Sequence, residues 1–350
     1  MADRAEQTAR QSGELERDAA LNAYVHDVAC RVGDGACGDI RLYILNRPFF
    51  NAAMAPNGYM EVWSGLLLRC DNEAQLAFVL GHEIGHYSER HTLLQWRNVR
   101  GQATAGLILS VVSAGFGAAI LGDLLYLGAL SSVFAYSRQL ESAADAIGFN
   151  RAVAAGYDSQ AGAELWTNLI AETQASNDAT VRRKETRGSV FATHPLSADR
   201  VAALRTLATG HAGAGETFHE RYRATIRPFL DHWLREELRR RDFGETLNLL
   251  DRLGAHGEDL GVIEFYRGEV YRIRRGEGDR AQALAHYTAA IAQPDAPAGA
   301  WDQLGEFAQA DGHNADAANY FTTYLARAPN AQDRALVQAR IAQLTQGGAQ

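Results

Sequence analysis

The sequence predicts a mainly α-helical protein with one small β-sheet, arranged as a helical unit carrying the sheet followed by a solenoid of helix pairs. Three observations carry this reading. Apolar residues recur at helical spacing along most of the chain, and only two short runs read as strands. A glycine-rich break near residue 210 then separates the segment with strands from one built of helix pairs. The 350 residues are 47% apolar and 22% charged, enough for two domains with a core each and too apolar for disorder to be the main state. With 34 basic against 42 acidic side chains, the net charge of −8 excludes a nucleic-acid surface as the expected partner.

The elements follow in order. Leu21, Tyr24, Val25, Val28 and Val32 share one helical face, so residues 14–33 are expected to form an amphipathic first helix. Cys30 and Cys37 flank Gly33 and Gly35, a stretch able to close a small disulfide loop; the alternative is two reduced small hydrophobes. Residues 40–45 and 59–63 read as short strands, separated by the turn formers Asn46, Pro48, Pro56, Asn57 and Gly58. Asp71-Asn72-Glu73 is a capping signal for a long helix expected to run to about residue 97. A second long helix is expected over 138–155, stopped by Gly156, with a polar loop over 176–187 behind it. Gly210, Gly213 and Gly215 mark a break, which divides the chain into a first domain over 1–210, a linker over 211–224 and a repeat region over 225–350.

In the repeat region Trp301, Leu304, Gly305, Ala317, Phe321 and Pro329 fall on the tetratricopeptide pattern of helix–turn–helix units. Ala283 and Tyr287 stand 34 residues before Ala317 and Phe321, and Gly268, Tyr271 and Pro294 extend the match with about three extra residues in the turn. A weaker hairpin over 233–253 precedes them. Such repeats bind protein partners, although their sequence names none.

Residues 101–122 hold no charged side chain, and 124–137 continue apolar. The run is long enough to span a bilayer, but its glycines and hydroxyl residues dilute it. The readings are a pair of buried or surface-lying helices flanking a cleft, or a segment in contact with the membrane surface. The polar opening Met1-Ala2-Asp3-Arg4 holds no signal peptide, which leaves a cytoplasmic protein or one whose leader has been removed.

The chemistry centres on His82-Glu83-Ile84-Gly85-His86. The i, i+4 spacing puts His82 and His86 on one helix face, where a single tetrahedral metal takes both, and Glu83 sits beside them without ligating, as a general base requires. His91 would lie about 140° round a regular helix from His86 and so cannot share the metal. The third ligand is expected from another helix. Glu141 fits, with Asp145 one turn on to orient a ligating histidine. One zinc ion per chain is expected on His82, His86 and Glu141, with Glu83 taking the proton of the attacking water. The strand over 59–63, just ahead of this helix, reads as an open edge on which Tyr59, Met60, Glu61 and Val62 would pair with an extended peptide.

These residues resemble a known family. Gly81 to His86, taken with Ser137-Arg138, Glu141 and Ala144-Asp145, looks like the HtpX/BepA-type zinc metallopeptidases, gluzincins related to the CAAX prenyl-protease and Oma-type enzymes. Asn51-Ala52 ahead of Pro56-Asn57-Gly58, Ser64-Gly65-Leu66, and His194-Pro195 with Arg200 extend the match over about 15–205, while Ala143 stands where the family often has a second Glu. The resemblance implies a zincin-type fold and an endopeptidase acting on unfolded or misassembled polypeptides in envelope protein quality control. It also implies a periplasmic location, with membrane-associated or cytoplasmic as alternatives. It gives His194 a place near the zinc, donating to the oxyanion or capping the metal at rest; Arg200, six residues on, is expected to tether that loop or to pair with a carboxylate near the site, without a catalytic role. A second function class stays open: a latent peptidase acting mainly as a chaperone or scaffold through its repeats.

Overall fold

A computed structural model describes residues 2–94, 136–183, 194, 197–211, 213 and 215–346. The chain divides into two compact units, Met1–Phe229 and Leu230–Gln350.

The first unit opens with α1 (Ala2–Gln11) and α2 (Ala19–Arg31). The carboxylate of Asp18 accepts from Leu21 N at 2.8 Å, so the helix expected from residue 14 begins five residues later. Residues 14–16 are held elsewhere: Glu16 N donates to Ile44 O at 2.9 Å, and Asn46 N donates to Glu14 O at 2.7 Å. The sheet contains β1 (Arg41–Leu45), β2 (Ala52–Met54) and β3 (Tyr59–Trp63) in the order β1-β3-β2. β1 runs parallel to β3 with Arg41 opposite Tyr59, and β2 runs antiparallel with Met54 opposite Met60.

The sheet order corrects one expectation. Strand 59–63 is central, so Tyr59, Met60, Glu61 and Val62 offer no open edge for an added peptide. The neighbour that takes the edge is β2, whose Ala-Ala-Met sequence has no β-branched residue to announce a strand. Trp63 N donates to Asn51 O and Ala55 N donates to Tyr59 O, so the antiparallel alternation turns the backbone groups of Ala52 and Met54 outward. β2 is therefore the outer strand on this side of the sheet, with Ala52 and Met54 themselves buried and the Met54 backbone N–H donating to the Glu83 carboxylate.

Behind the sheet come α3 (Ser64–Arg69) and α4 (Glu73–Ser88), the latter capped by Asn72, whose side chain accepts from Gln75 N at 3.0 Å. Every residue of α4 from Glu73 to His86 is buried. The helix stops earlier than the sequence pattern implies, at a left-handed Arg90 with φ of 55°. α5 (Arg138–Ala154) is capped by Ser137 and crosses α4 closely. A Cβ on Gly148 would stand 2.8 Å from His82 N, and one on Gly81 would stand 3.2 Å from Gly148 Cα, so two glycines bring the backbones together. The unit continues with α6 (Ala161–Ala175), α7 (Ala179–Arg183), α8 (Ala198–Ala208) and α9 (His219–Ile226). Of the expected polar loop, residues 179–183 form α7, and 184–187 lie outside the described residues.

Part of the segment expected as a linker lies on this unit. Glu216 N donates to Gly156 O at 3.0 Å, Arg221 pairs with the fully buried Glu73, and the Tyr222 hydroxyl donates to Leu67 O. The sulfurs of Cys30 and Cys37 are bonded, with their Cα atoms 4.7 Å apart.

The second unit is all helix: α10 (Leu230–Arg239), α11 (Phe243–Gly254), α12 (Leu260–Arg274), α13 (Asp279–Ile291), α14 (Gly299–Ala310), α15 (Asn314–Arg327) and α16 (Arg334–Gln346). Gly268 on α12 faces the Tyr287 ring of α13, and Gly305 on α14 faces the Phe321 ring of α15; an added Cβ would approach those rings to 2.5 and 2.6 Å. The same glycine-under-aromatic contact thus closes two successive hairpins. Among the described residues no helix is long and apolar enough to cross a membrane, and residues 101–135 of the apolar run lie outside them.

Candidate metal centre

Helix α4 carries His82 and His86 on its buried face, one turn apart, each 1% exposed. The α4–α5 crossing at Gly81 and Gly148 sets Glu141 and Asp145 against them. His82 Nε2 lies 3.0 Å from His86 Nε2 and 3.7 Å from Glu141 Oε2, and His86 Nε2 lies 3.5 Å from Glu141 Oε1. His194 completes the cluster, its Nδ1 3.1 Å from Glu141 Oε1 and 3.3 Å from His82 Nε2. One donor atom from each of these four residues lies within 4.8 Å of all the others. Ligands around a tetrahedral zinc with bonds near 2.0–2.1 Å stand about 3.3–3.4 Å apart. The spacing and the imidazole–carboxylate donor set both fit such an ion, so His82, His86 and Glu141 could hold one.

The surrounding charges suit that task. Burial holds the His86 pKa well below the usual imidazole value, helped by His82 and His194, which keeps a neutral ring with a lone pair to offer. Burial works against ionisation of Glu141, but His194 and Arg200 outweigh it and leave the carboxyl more acidic than usual. Asp145 is likewise opposed by burial and overruled by Arg200, whose Nε and Nη2 grip its two oxygens at 2.6 and 2.7 Å. Arg200 Nη1 also stands 2.8 Å from Glu141 Oε2, close enough for ion pairing though not aligned as a hydrogen bond. Asp145 Oδ1 accepts from His82 Nδ1 at 3.0 Å and from Trp166 Nε1 at 3.3 Å.

Glu83 faces the other side of the cluster. Burial raises its pKa, with His194 and His82 opposing, so this carboxyl is more basic than an ordinary glutamate. His194 Nε2 lies 3.4 Å from Glu83 Oε1. Burial disfavours a charged His194, yet the carboxylates of Glu83 and Glu141 prevail and push its pKa up to about 9. Among the described residues an open cleft of about 350 Å³ reaches His86, lined in part by Pro56, Arg90 and Leu93.

Seven residues singled out in the sequence therefore meet here: His82, Glu83, His86, Glu141, Asp145, His194 and Arg200. Tyr59, Met60, Glu61 and Val62 do not join them as an edge, and Glu61 is instead bound by the Tyr59 hydroxyl and by Trp63 Nε1 at 3.0 Å. The Cys30–Cys37 bridge lies beside His26, whose Nδ1 is 3.7 Å from Cys30 Sγ. Sequence reasoning missed Trp166, Tyr136 and the contact of His91 Nδ1 with His86 Nδ1 at 3.0 Å. The helical projection excluded His91 as a ligand but could not show the left-handed Arg90 that turns it back.

A helix bearing two histidines and a glutamate, closed by a carboxylate from a second helix, defines a metallopeptidase type of centre. The sequence profile of peptidase family M48 matches residues 15–208, more than half of the chain, and the chain belongs to this family. It is similar to the putative beta-barrel assembly-enhancing protease of Vibrio cholerae, at 27% identity over 199 residues, 54% of this chain and 39% of that protein. It is also similar to the beta-barrel assembly-enhancing protease of Escherichia coli, at 27% over 209 residues, 57% of this chain and 41% of that one. The mitochondrial metalloendopeptidase OMA1 of Bos taurus is 31% identical over 166 residues, 44% of this chain and 32% of the relative. The chain thus spans about two-fifths of the length of the two bacterial relatives.

Proposed function

We propose that the first unit is a zinc endopeptidase cleaving unfolded or misassembled polypeptides, with one ion held by His82, His86 and Glu141. The observation that carries this reading is the convergence of their donor atoms in a buried pocket with Glu83 alongside. Zinc bound there would supply Lewis acidity, polarising the scissile carbonyl and making water nucleophilic near neutral pH. Glu83 takes the proton from the attacking water and returns it to the leaving amine nitrogen; its raised pKa suits both transfers. Asp145 holds the His82 ring through Nδ1, so that Nε2 faces the pocket. The outward backbone of Ala52 on the outer strand β2 would align an extended peptide, the task first assigned to β3, beside Glu83, which takes the Met54 backbone N–H. His194 donates to the developing oxyanion when it swings from its present contacts.

A second reading has its own support. A catalytic centre keeps one position open, and here His194 crowds the donor cluster at 3.1–3.3 Å. This favours a latent peptidase that acts between cleavage events as a scaffold through its helix pairs. The matched hairpins at Gly268–Tyr287 and Gly305–Phe321 support a tetratricopeptide-like repeat region that recruits clients or partners. The two bacterial relatives and the Cys30–Cys37 bridge support an oxidising envelope compartment and protein quality control there.

The test pairs metal content with cleavage of an unfolded protein such as casein. One zinc per chain and chelator-sensitive cleavage are expected. Glu83→Gln should keep the metal and lose cleavage by about 10²-fold or more. Cleavage by Glu83→Gln at the native rate would overturn the mechanism. His194→Ala should raise turnover if the site is latent and lower it if His194 acts only on the oxyanion.

A further inference from the structure

An imidazole that presents one nitrogen to a metal needs the other held by a proton acceptor. For His82 that acceptor is Asp145, at 3.0 Å from Nδ1. For His86 the atom facing Nδ1 is not a carboxylate. It is His91 Nδ1, also at 3.0 Å, on a side chain only 4% exposed. Tyr136 stacks on the face of the same ring, centroids 3.9 Å apart and planes 19° from parallel, and its hydroxyl meets Thr92 Oγ1 at 2.8 Å. Two neighbouring residues thus serve one ligand, His91 directly and Thr92 through Tyr136.

We propose that His91 is a positioning residue of the metal centre: it accepts the Nδ1 proton of His86 and thereby commits His86 Nε2 to the metal. This rests on the reading of His82, His86 and Glu141 as metal ligands. One proton lies between the two facing Nδ1 atoms. If His91 were the donor, His86 would carry its own proton on Nε2, 3.0 Å from His82 Nε2 and aimed at Glu141, and could not ligate. With His86 as donor, Nε2 presents a lone pair and His91 keeps its proton on its own Nε2. A neutral acceptor also adds no negative charge to a pocket that already buries Glu83, Glu141 and Asp145. The left-handed turn at Arg90 makes the contact geometrically available.

Zinc affinity of the full chain is measured by competition with a chromophoric chelator. His91→Phe, which keeps a ring and removes the acceptor, should weaken binding about 10- to 100-fold, the usual effect of losing an outer partner of a ligand. His91→Asn, whose amide oxygen can accept, should recover most of that loss. A readout without any variant is the nitrogen NMR signature of His91 in the zinc-loaded native protein. There Nδ1 should be unprotonated and Nε2 protonated. Native affinity in a folded His91→Phe, or a protonated His91 Nδ1, overturns the inference while leaving the metal centre standing. Failure of the native chain to bind zinc at all overturns the metal reading and this inference with it.

Discussion

Glu141 and Asp145 are buried one helical turn apart, and a single guanidinium answers both. Arg200 is 4% exposed, grips Asp145 with two nitrogens, reaches Glu141 with the third and lies over the Trp166 ring at 5.0 Å. Removing it takes from two buried carboxylates the one guanidinium they share, leaving Asp145 on His82 and Trp166 and Glu141 on His194. Arg200→Ala should therefore cost about 3–5 kcal/mol of stability, the range for a broken buried ion pair. It should also weaken zinc binding, because Asp145 would no longer be held as the acceptor for His82. Urea unfolding of the chelated protein reads the first effect, and competition binding reads the second; stability within error of the native chain would remove Arg200 from this role. Ligands on one helix face were legible in the sequence because i, i+4 spacing dictates what they share. Arg200 was visible only as a residue able to pair with a carboxylate near the site, since which acids it reaches depends on how α8 docks 55 residues beyond Asp145.

At the scale of elements, the site exists because two helices touch backbone to backbone. Phe78 O lies 2.9 Å and His82 N lies 2.8 Å from where a Gly148 Cβ would be, both backbone atoms that cannot yield without moving α4. Gly148→Ala should push the helices apart, costing about 1–3 kcal/mol by overpacking. It should also lower zinc affinity, because Glu141 and Asp145 ride on the displaced helix. Gly210→Ala, where nothing lies within 4 Å of the added carbon, is the control and should leave both quantities unchanged. Equal stability of Gly148→Ala and the native chain would show that the crossing tolerates a methyl group. The long helices were readable from the capping signal at Asn72 and the stop at Gly156, while the cap at Ser137 emerged only in the structure. The short edge strand was not, because Ala52–Met54 earns its conformation from pairing with β3 and from no propensity of its own. The same strand explains why 59–63 read as an edge although it is the central strand.

At the scale of the whole molecule, the repeat period was readable because the 34-residue offset of Ala283 and Tyr287 from Ala317 and Phe321 maps onto equivalent hairpins, with all four residues fully buried. The division between units was harder, because α9 follows the glycines yet holds to the first unit through Tyr222 and Arg221. The second unit also carries a titration of its own. Burial raises the pKa of Asp302 to about 6, and Glu306 and Asp333 reinforce the shift, as does Glu269, against the opposing charge of Arg340. The folded chain therefore binds this proton more tightly than the unfolded chain, whose aspartate sits near 3.8. The sign follows: between those values the folded state holds the extra proton, so stability grows as pH falls through about 6 and is lost again as pH rises through it. Calorimetry of the full chain should show the unfolding transition of the second unit moving to higher temperature from pH 7.5 to pH 5. Asp302→Asn, which never ionises, should raise that transition at pH 7.5 and remove the Asp302 share of the shift. A variant whose transition follows pH as steeply as the native one would remove Asp302 from this role.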